Sequence, residues 1–436
     1  MLLAFAAQAQ QTAADFFEQG VNKSKSGDYI GALTAFSTAI TMNPENSQSY
    51  FNRGLAKQAL KDHRGAISDF SKTISLSPRE SLAFLYRGMS HGQQEDHQAA
   101  LQDFNRTIEI DADDSYAYLQ RGFTNAKLEY YAKAITDFNK VVELSSSQSS
   151  KYQAFYSRAL CKSKLNDHRG SISDFSKSIE INPKRSQTFS GRGYSYLQIG
   201  DFSSAIADYD ESIKLDPQDS DSFYNRGFAK AKSGDYVGGK TDFDKALSLN
   251  PQNIQAYYAR GFCNAKLNNQ RGAIQDLDKA IEINNVNLDS KVYYAPSMPQ
   301  KSLDMLRAVV SEDVTIKDFS ENRSEAFYAR GYANLKSGDA KDAIADFNKA
   351  IVLNPTLAEA HFGRGMVNSA NGLQKEALVD MTNAIDLKNN MYKEAFYVRG
   401  IIKLALGDRN GGCLDLSKSG EQGFTGAYDV IKNHCN

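Results

Sequence analysis

The sequence predicts an all-α solenoid of about eleven helix pairs, with one irregular insertion and a C-terminal capping helix. Three observations support this fold class. A glycine recurs along most of the chain, usually at steps of 34 residues. Apolar residues follow a helical spacing in two stretches of each repeat. Six of the eight prolines fall at one position, the junction between a repeat and the next.

The first predicted helix of each repeat carries a small residue that defines the register. Twelve residues later the second helix carries another small residue, and four residues further on the position is mostly Phe. Small side chains at facing positions allow the two helices of a pair to approach closely. The register residues are Gly20, Gly54, Gly88, Gly122, Ala159, Gly193, Gly227, Gly261, Gly331, Gly365 and Gly400.

The repeat from Glu325 to Pro355 shows the predicted elements in order. Gly338 and Asp339 separate two helices, and Pro355 ends the second. The apolar stripe of the first helix is Phe327, Tyr328, Gly331, Tyr332 and Leu335, and that of the second is Ala343, Ile344, Phe347, Ala350 and Ile351.

The repeats divide the chain into six segments. Residues 1–12 precede the first helix, 13–151 hold repeats one to four, 152–287 hold repeats five to eight, 288–323 form the insertion, 324–422 hold repeats nine to eleven, and 423–436 form the capping helix. The serine-rich stretch 145–150 is either a slightly long turn or a flexible joint. We expect the insertion to be a loop rather than a decayed repeat, because Pro296 and Pro299 interrupt the position of a first helix.

The period, the register glycine, the later small residue, the aromatic and the closing proline resemble those of the tetratricopeptide repeat (TPR) family. The resemblance covers roughly residues 13 to 420. It implies a right-handed superhelix whose first helices line a concave face, and a function in protein–protein interaction. The family's usual first-helix Trp is replaced here by Tyr, Phe or His.

Two charged positions recur inside the apolar stripes. Arg precedes the register residue in ten repeats, and Asp follows that Arg by sixteen residues, whereas the first repeat has Gln19 and Ala35 instead. We expect each Arg to hold the Asp of its own repeat through paired hydrogen bonds. The alternative is that the arginines face an anionic ligand. Representative predicted pairs are Arg53–Asp69, Arg121–Asp137, Arg260–Asp276 and Arg330–Asp346.

Aromatic and lysine residues recur on one face of the first helices, and in the TPR family this face binds partner peptides. An aromatic floor with a lysine rim would suit a partner with acidic residues. The alternatives are that the aromatics pack between first helices and that the lysines are solvated. The family members that bind chaperone tails need Lys and Asn at these positions, which hold aromatic and aliphatic residues here, so we do not expect this chain to bind such a tail. The predicted groove residues are Phe123, Tyr156, Tyr194, Tyr224, Phe228, Lys232, Tyr258, Phe262, Lys266, Tyr328, Tyr332 and Lys336.

Sequence features at both ends of the chain indicate the cellular compartment in which the protein works. Ala7-Gln8-Ala9, after a short apolar run, fits the end of a signal peptide, although an extension of the first helix is the alternative. The C-terminal ending resembles the closing segment of exported bacterial members of the family. A disulfide between Cys413 and Cys435 would pin the last helix there, the alternative being two unrelated thiols. We therefore expect an exported, periplasmic or envelope-associated protein, with a cytoplasmic one as the alternative.

Composition narrows the function classes. A net charge of -1 gives no electrostatic footprint for nucleic acid, and no apolar run is long enough for a membrane span. Neither metal-ligand spacing nor a nucleophile beside a base is present, so the sequence predicts no enzyme, no cofactor and no metal. The sequence assigns no oligomeric state.

The predicted function is therefore a non-catalytic scaffold or adaptor for a protein or peptide. A glycan-binding or envelope transport accessory protein is the alternative, and the absence of Trp counts against it. An enzyme with its site among the acidic residues of the insertion is a weaker rival, because those acids fit a solvated loop better.

Overall fold

The computed structural model describes residues 11–283 and 323–435, which form 23 helices and no strand. The eleven helices up to Asp201 are α1 (Ala13–Lys25), α2 (Tyr29–Met42), α3 (Ser47–Ala59), α4 (His63–Leu76), α5 (Ser81–Gln93), α6 (His97–Ile110), α7 (Ser115–Lys127), α8 (Tyr131–Leu144), α9 (Gln148–Lys164), α10 (His168–Ile181) and α11 (Ser186–Gln198). The later helices are α12 (Phe202–Leu215), α13 (Ser220–Lys232), α14 (Tyr236–Leu249), α15 (Ile254–Lys266), α16 (Gln270–Ile283), α17 (Arg323–Ser337), α18 (Ala340–Leu353), α19 (Ala358–Ala370), α20 (Gln374–Leu387), α21 (Lys393–Ala405), α22 (Arg409–Glu421) and α23 (Gly426–His434).

The chain divides into two compact bodies, an N-terminal body of residues 1–201 and a C-terminal body of residues 202–436. Within each body, every helix packs against the helix that precedes or follows it. The predicted all-α fold of consecutive TPR-like helix pairs is confirmed. The predicted N-terminal extension, apart from its last two residues, lies outside the described residues.

The turn inside a pair is fixed by local chemistry. In the first pair, Gly27 adopts a positive φ of 83° and Asp28 then caps α2 by accepting a hydrogen bond from the backbone N–H of Gly31. The second pair repeats this turn with Lys61, at φ 63°, and Asp62. An Asp at the N-cap satisfies a backbone donor that the helix leaves unpaired. This turn therefore reverses the chain without a longer loop.

The register glycines are required by close packing rather than by backbone conformation. A Cβ built on Gly54 would lie 2.7 Å from the ring of Phe70, which is itself fully buried. A larger residue at this position would push the second helix away. Burial of each such Phe stabilises the fold by about 1.5–3 kcal/mol. The close contact between the glycine and the aromatic ring therefore holds the two helices of a pair together.

The serine-rich stretch mostly lengthens a helix. Helix α9 is 17 residues long and begins at Gln148, so only residues 145–147 connect it to α8. Ser147 caps α9 through its side chain, and Ser145 is buried.

Repeats eight and nine pack directly on each other although the insertion separates them in sequence. Arg330 of α17 bonds Asp278 of α16 at 2.7 Å, and Ala326 lies in one apolar cluster with Tyr258 and Leu277. The insertion predicted at 288–323 lies, except for Arg323, outside the described residues. The stack of helix pairs in the C-terminal body thus continues across this break in the sequence.

Candidate interaction site

Nine of the ten repeated arginines, which we call the ladder arginines, each hold the aspartate of their own repeat with two hydrogen bonds. Arg53 is representative, because its Nε donates to Asp69 Oδ2 at 2.9 Å and its Nη2 donates to Asp69 Oδ1 at 2.7 Å. The fork geometry of the guanidinium allows this paired contact. The pairs are Arg53–Asp69, Arg87–Asp103, Arg121–Asp137, Arg158–Asp174, Arg226–Asp242, Arg260–Asp276, Arg330–Asp346, Arg364–Asp380 and Arg399–Asp415.

The same arginines also reach the preceding repeat. Arg53 Nη1 donates to Ser37 of α2 at 3.1 Å, and Arg260 Nη1 donates to Asp244 of α14 at 2.7 Å. One guanidinium therefore joins three helices, two within its repeat and one from the repeat before. The first repeat, which lacks the pair, has no repeat before it among the described residues to bond in this way.

Sequence reasoning missed two further partners of these pairs. An aromatic ring three residues before the arginine lies under its guanidinium, as Tyr50 does under Arg53 at 5.5 Å. The side chain three residues after the register residue also contacts the Oδ2 atom of the aspartate. That position holds Lys57, Asn125, Lys162, Lys230, Asn264, Asn334, Asn368 and Lys403. The recurrence of Lys or Asn there was the available signal.

Through these contacts, the guanidinium groups are hydrogen-bonded to acceptors within the protein. The aspartates are nearly inaccessible, Asp69 being 3% and Asp346 2% exposed. Burial opposes the charge of Arg330, but the carboxylates of Asp346 and Asp278 outweigh it and raise the pKa of that guanidinium. The arginines therefore do not present a row of open sites to an anionic ligand.

The predicted aromatic floor is only partly open. In the C-terminal body Phe228, Tyr258 and Phe262 are buried, at 8%, 3% and 8% exposure. Tyr258 packs with Leu277 of α16, and Phe262 packs on Tyr236 of α14. Tyr224, Tyr328 and Tyr332 are half-buried. The three buried rings therefore offer little surface to a partner. In the N-terminal body Phe123 and Tyr156 are half-buried and Tyr194 is exposed.

The predicted lysines form a regular row in three successive repeats. Lys232 lies over Phe228 at 5.3 Å, Lys266 over Phe262 at 5.5 Å, and Lys336 over Tyr332 at 5.2 Å from the ring centroid. Lys232 and Lys266 are exposed, and Lys336 is half-buried. Burial, followed by the positive charge of Lys266, lowers the pKa of Lys336. We call Lys232, Lys266 and Lys336 the lysine rim.

The first helices of repeats nine to eleven each carry, near their start, an acid that sequence reasoning did not single out. Six residues before the register residue, repeats nine to eleven have Glu325, Glu359 and Glu394. We call these three residues the glutamate rim. The spacing, three residues before the groove aromatic, was visible in the sequence.

The C-terminal cysteines are joined. Cys413 of α22 and Cys435 after α23 form a disulfide whose Cα atoms are 5.7 Å apart. The ring of Phe424 also packs on Tyr397, with centroids 4.6 Å apart. The disulfide and this packing hold the last helix on the last pair.

The other two cysteines are buried free thiols. Burial raises the pKa of Cys161 to about 11 and, together with the charge of Asp235, that of Cys263 to about 12. Both thiols are therefore protonated and poorly reactive at neutral pH.

The repeated helix pairs and their arginine contacts define an α-helical repeat protein. Three TPR family models match the chain: a TPR repeat model at residues 193–234 and 331–372, and two tetratricopeptide repeat models, one at 53–117 and the other at 115–148, 152–185 and 254–287. The chain belongs to the tetratricopeptide repeat family. TPR repeats in general indicate a protein-interaction scaffold, and the fold is typically non-catalytic.

Several solved TPR structures are similar to the chain. The C-terminal part of a TPR repeat-containing protein from Cytophaga hutchinsonii is 19% identical, with 64% of this chain and 98% of that chain covered and a TM-score of 0.48. A TPR protein from Parabacteroides merdae is 19% identical, with 58% and 99% covered and a TM-score of 0.42. YrrB, described as a TPR protein with an unusual peptide-binding site, is 20% identical, with 44% and 97% covered and a TM-score of 0.40. No curated protein sequence matches the chain.

Two features of the described residues bear on membrane and metal-dependent functions. Within residues 11–283 and 323–435, no helix is both long and apolar enough to span a bilayer. The same residues contain no group of three or more His, Cys, Asp or Glu side chains arranged to hold a metal ion.

Proposed function

We propose that this protein is a non-catalytic scaffold that holds a partner polypeptide along the concave face of its first helices, at repeats seven to nine. The lysine rim is the observation that carries the proposal. Three successive repeats place an ammonium group over an aromatic ring at the same position. The positive charge of Lys266 lowers the pKa of Lys336, after the larger effect of burial, so these two ammonium groups repel each other, and an acidic partner segment would relieve that repulsion.

The location of contact follows from accessibility. Tyr258 is 3% exposed and offers little surface, whereas Lys266, two turns along the same helix, is exposed. The partner therefore meets the lysines and the half-buried tyrosines Tyr224, Tyr328 and Tyr332 rather than a continuous aromatic floor. Tyrosine and lysine are suited to such a surface, since both have an apolar body and a polar tip.

We also propose that the protein is exported and works in the periplasm or at the cell envelope. The Cys413–Cys435 disulfide supports this location, because such bonds persist in oxidising compartments. Rapid acid quenching of cells, followed by alkylation and mass spectrometry, tests it. Alkylation of both cysteines without prior reduction would argue for a reducing compartment instead.

Photo-crosslinking tests the interaction. A photoreactive phenylalanine analogue replaces Lys266 in the native cell, and the adducts are identified by mass spectrometry. The matched control places the analogue at Lys279, an exposed lysine on the second helix of the same repeat. One protein adduct that forms from position 266 and not from position 279 is the expected result. Equal adducts from both positions, or none from 266 in a folded protein, would overturn the proposal.

A further inference from the structure

The first helices of repeats four, five and six (α7, α9 and α11) lie side by side in the N-terminal body. Leu119 of α7 shares one apolar cluster with Ala154 and Cys161 of α9. The hydroxyl of Tyr152 on α9 lies 3.0 Å from the hydroxyl of Thr188 on α11. These contacts join the three helices into one surface.

Two large apolar side chains of this surface are open to solvent. Leu160 of α9 and Tyr194 of α11 both lie one residue after the register residue, and they are 42% and 45% exposed. The equivalent side chains of repeats seven, eight and ten are covered, since Phe228 and Phe262 are each 8% exposed and Met366 is 1% exposed. The same position is therefore closed in the C-terminal body at these repeats and open at repeats five and six.

Two lysines lie one helical turn beyond this position. Lys127 follows Phe123 on α7, and Lys164 follows Leu160 on α9, each by four residues, so each lysine shares a helical stripe with the apolar residue before it. Both lysine side chains are exposed. At a rise of about 1.5 Å per residue, the row of lysines runs about 6 Å from the row of apolar residues.

The protein does not neutralise these two lysines. Within residues 11–283 and 323–435, no acidic side chain forms an ion pair with Lys127 or Lys164. The sequences of α7, α9 and α11 contain neither Asp nor Glu. The surface therefore presents positive charge beside open apolar side chains, and its electrostatic complement is a segment that is both apolar and acidic.

The spacing of the surface favours a helical partner over an extended one. Packed helices have axes about 8–10 Å apart, so Leu160 and Tyr194 are separated by about that distance. Seven residues of an α-helix span about 10.5 Å and return the side chain to the same face. Three residues of an extended chain span about 10 Å, but the side chain then points to the opposite face. A helix about 10–12 Å across also covers both rows at once.

We propose that α7, α9 and α11 form a second docking surface, which binds an amphipathic acidic helix of a partner protein. Apolar side chains seven residues apart on that helix pack on Leu160 and Tyr194. Acidic side chains on its neighbouring stripe meet Lys127 and Lys164. This surface lies in the N-terminal body, away from the lysine rim, so it goes beyond the proposed function and does not depend on it.

A binding assay with designed peptides tests the chemistry of the partner. The probe is a fluorescein-labelled peptide of about five helical turns, with Leu at helical spacings on one face and Glu elsewhere. One comparison peptide has the same composition with Leu and Glu in strict alternation, which is the pattern of an extended segment. The other comparison peptide has Lys in place of Glu. Fluorescence anisotropy with the full-length protein measures the binding of each.

Double variants of the protein locate the bound peptide. L160S/Y194S removes the two open apolar side chains, and K127E/K164E reverses the two lysines. The matched controls make the same changes at exposed residues of the N-terminal body that lie outside α7, α9 and α11, namely I30S/M42S and K133E/K184E. A further variant, K266E/K336E, alters the lysine rim. Circular dichroism establishes that each variant is folded.

The acidic helical peptide should bind at least tenfold more tightly than either comparison peptide. L160S/Y194S and K127E/K164E should each weaken its binding tenfold or more, whereas the matched controls and K266E/K336E should bind it as the natural protein does. Equal binding of the alternating peptide would overturn the helical partner.

Two other results would overturn the second surface and leave the proposed function standing. The first is binding that is lost in K266E/K336E and kept in L160S/Y194S and K127E/K164E, because the peptide would then lie at the lysine rim. The second is no binding of the acidic helical peptide by the folded protein. Photo-crosslinking from position 266 still tests the proposed function separately in that case.

Discussion

The two bodies of the molecule make the same contact between repeats with different chemistry. In the N-terminal body, the Nη1 atoms of Arg53, Arg87, Arg121, Arg158 and Arg192 donate to the neutral side chains of Ser37, Ser71, Asn105, Asn139 and Ser176. In the C-terminal body, those of Arg226, Arg260 and Arg330 donate to Asp210, Asp244 and Asp278, and those of Arg364 and Arg399 donate to Asn348 and Thr382.

The difference separates two roles of the ladder. The position of the arginine is the same with a serine, an amide or a carboxylate as acceptor, so the charge of the acceptor does not set the geometry. The carboxylates of Asp210, Asp244 and Asp278 are about half exposed. Exposed ion pairs contribute little to stability. The buried aspartate within each repeat therefore contributes more to stability than the contact between repeats does. The contact between repeats mainly aligns one repeat with the next.

Removal of a buried aspartate should have the largest effect and should differ between the bodies. Asp69→Ala leaves Arg53 with the hydroxyl of Ser37, whereas Asp276→Ala leaves Arg260 with the carboxylate of Asp244. Breaking a buried ion pair costs about 3–5 kcal/mol, and we expect Asp69→Ala to lie at the upper end and Asp276→Ala at the lower. Hydrogen exchange of α3–α4 and α15–α16 measures the local loss. Equal losses would mean that the second acceptor does not matter.

Removal of the disulfide should have the next largest effect and should be confined to the end of the C-terminal body. Replacing Cys413 and Cys435 by Ser should cost about 2–4 kcal/mol, the usual value for a native disulfide. Exchange should accelerate in α22 and α23 and stay unchanged in α1 and α2, because stability in repeat arrays is local. Cys161→Ala, which alters a buried free thiol, is the control. Faster exchange in α1 would contradict local stability.

Changing the acceptor between repeats should have a small effect that depends on salt in only one body. Asp244→Asn removes a charge that faces Arg260, and Ser37→Ala removes a hydroxyl that faces Arg53. We expect each to cost about 1 kcal/mol or less. Added salt should reduce the cost of Asp244→Asn and leave that of Ser37→Ala unchanged, because salt screens exposed charges. Urea unfolding at low and high salt measures both, and identical salt dependence would contradict the distinction.

The smallest difference between the bodies is expected in the reactivity of their buried thiols, which should be the same. Cys161 in one body and Cys263 in the other occupy equivalent positions, and both are buried thiols with a raised pKa. Iodoacetamide at neutral pH should modify neither in the folded protein, and mass spectrometry should show both modified in denaturant alone. Cys413 and Cys435 should react only after reduction as well. Modification of one thiol in the folded protein would reveal local opening in that body.

The repeated features were readable from sequence because each recurs at a fixed spacing. The helix pairs were predicted from period and apolar stripes and are confirmed. The partner of each arginine could be inferred because an Asp follows it at a constant distance. The bond from Arg53 to Ser37 was not foreseen, although Ser, Asn, Asp or Thr recurs at the acceptor position, because these residue types are also common on the exposed faces of helices.

The candidate site was harder to read because accessibility depends on packing between helices. Tyr258 lies three residues before the register residue of its repeat, and Tyr194 lies one residue after that of its own, so both positions share one helical stripe. Tyr258 is nevertheless 3% exposed and Tyr194 45% exposed. A spacing rule places both on one helical face without stating what covers it. Lys232 and Lys266 remain exposed and are better guides to a binding surface.

The direct contact of Arg330 with Asp278 has a consequence for how such chains gain new sequence. The two helices that it joins are adjacent in space, yet about 40 residues separate them in the chain, and each doubling of a loop adds only about 0.6 kcal/mol of closure entropy. A junction locked by its own contacts can therefore accept foreign sequence at little thermodynamic cost. The boundary between repeats eight and nine is a natural place to graft a reporter or a folded domain into the array.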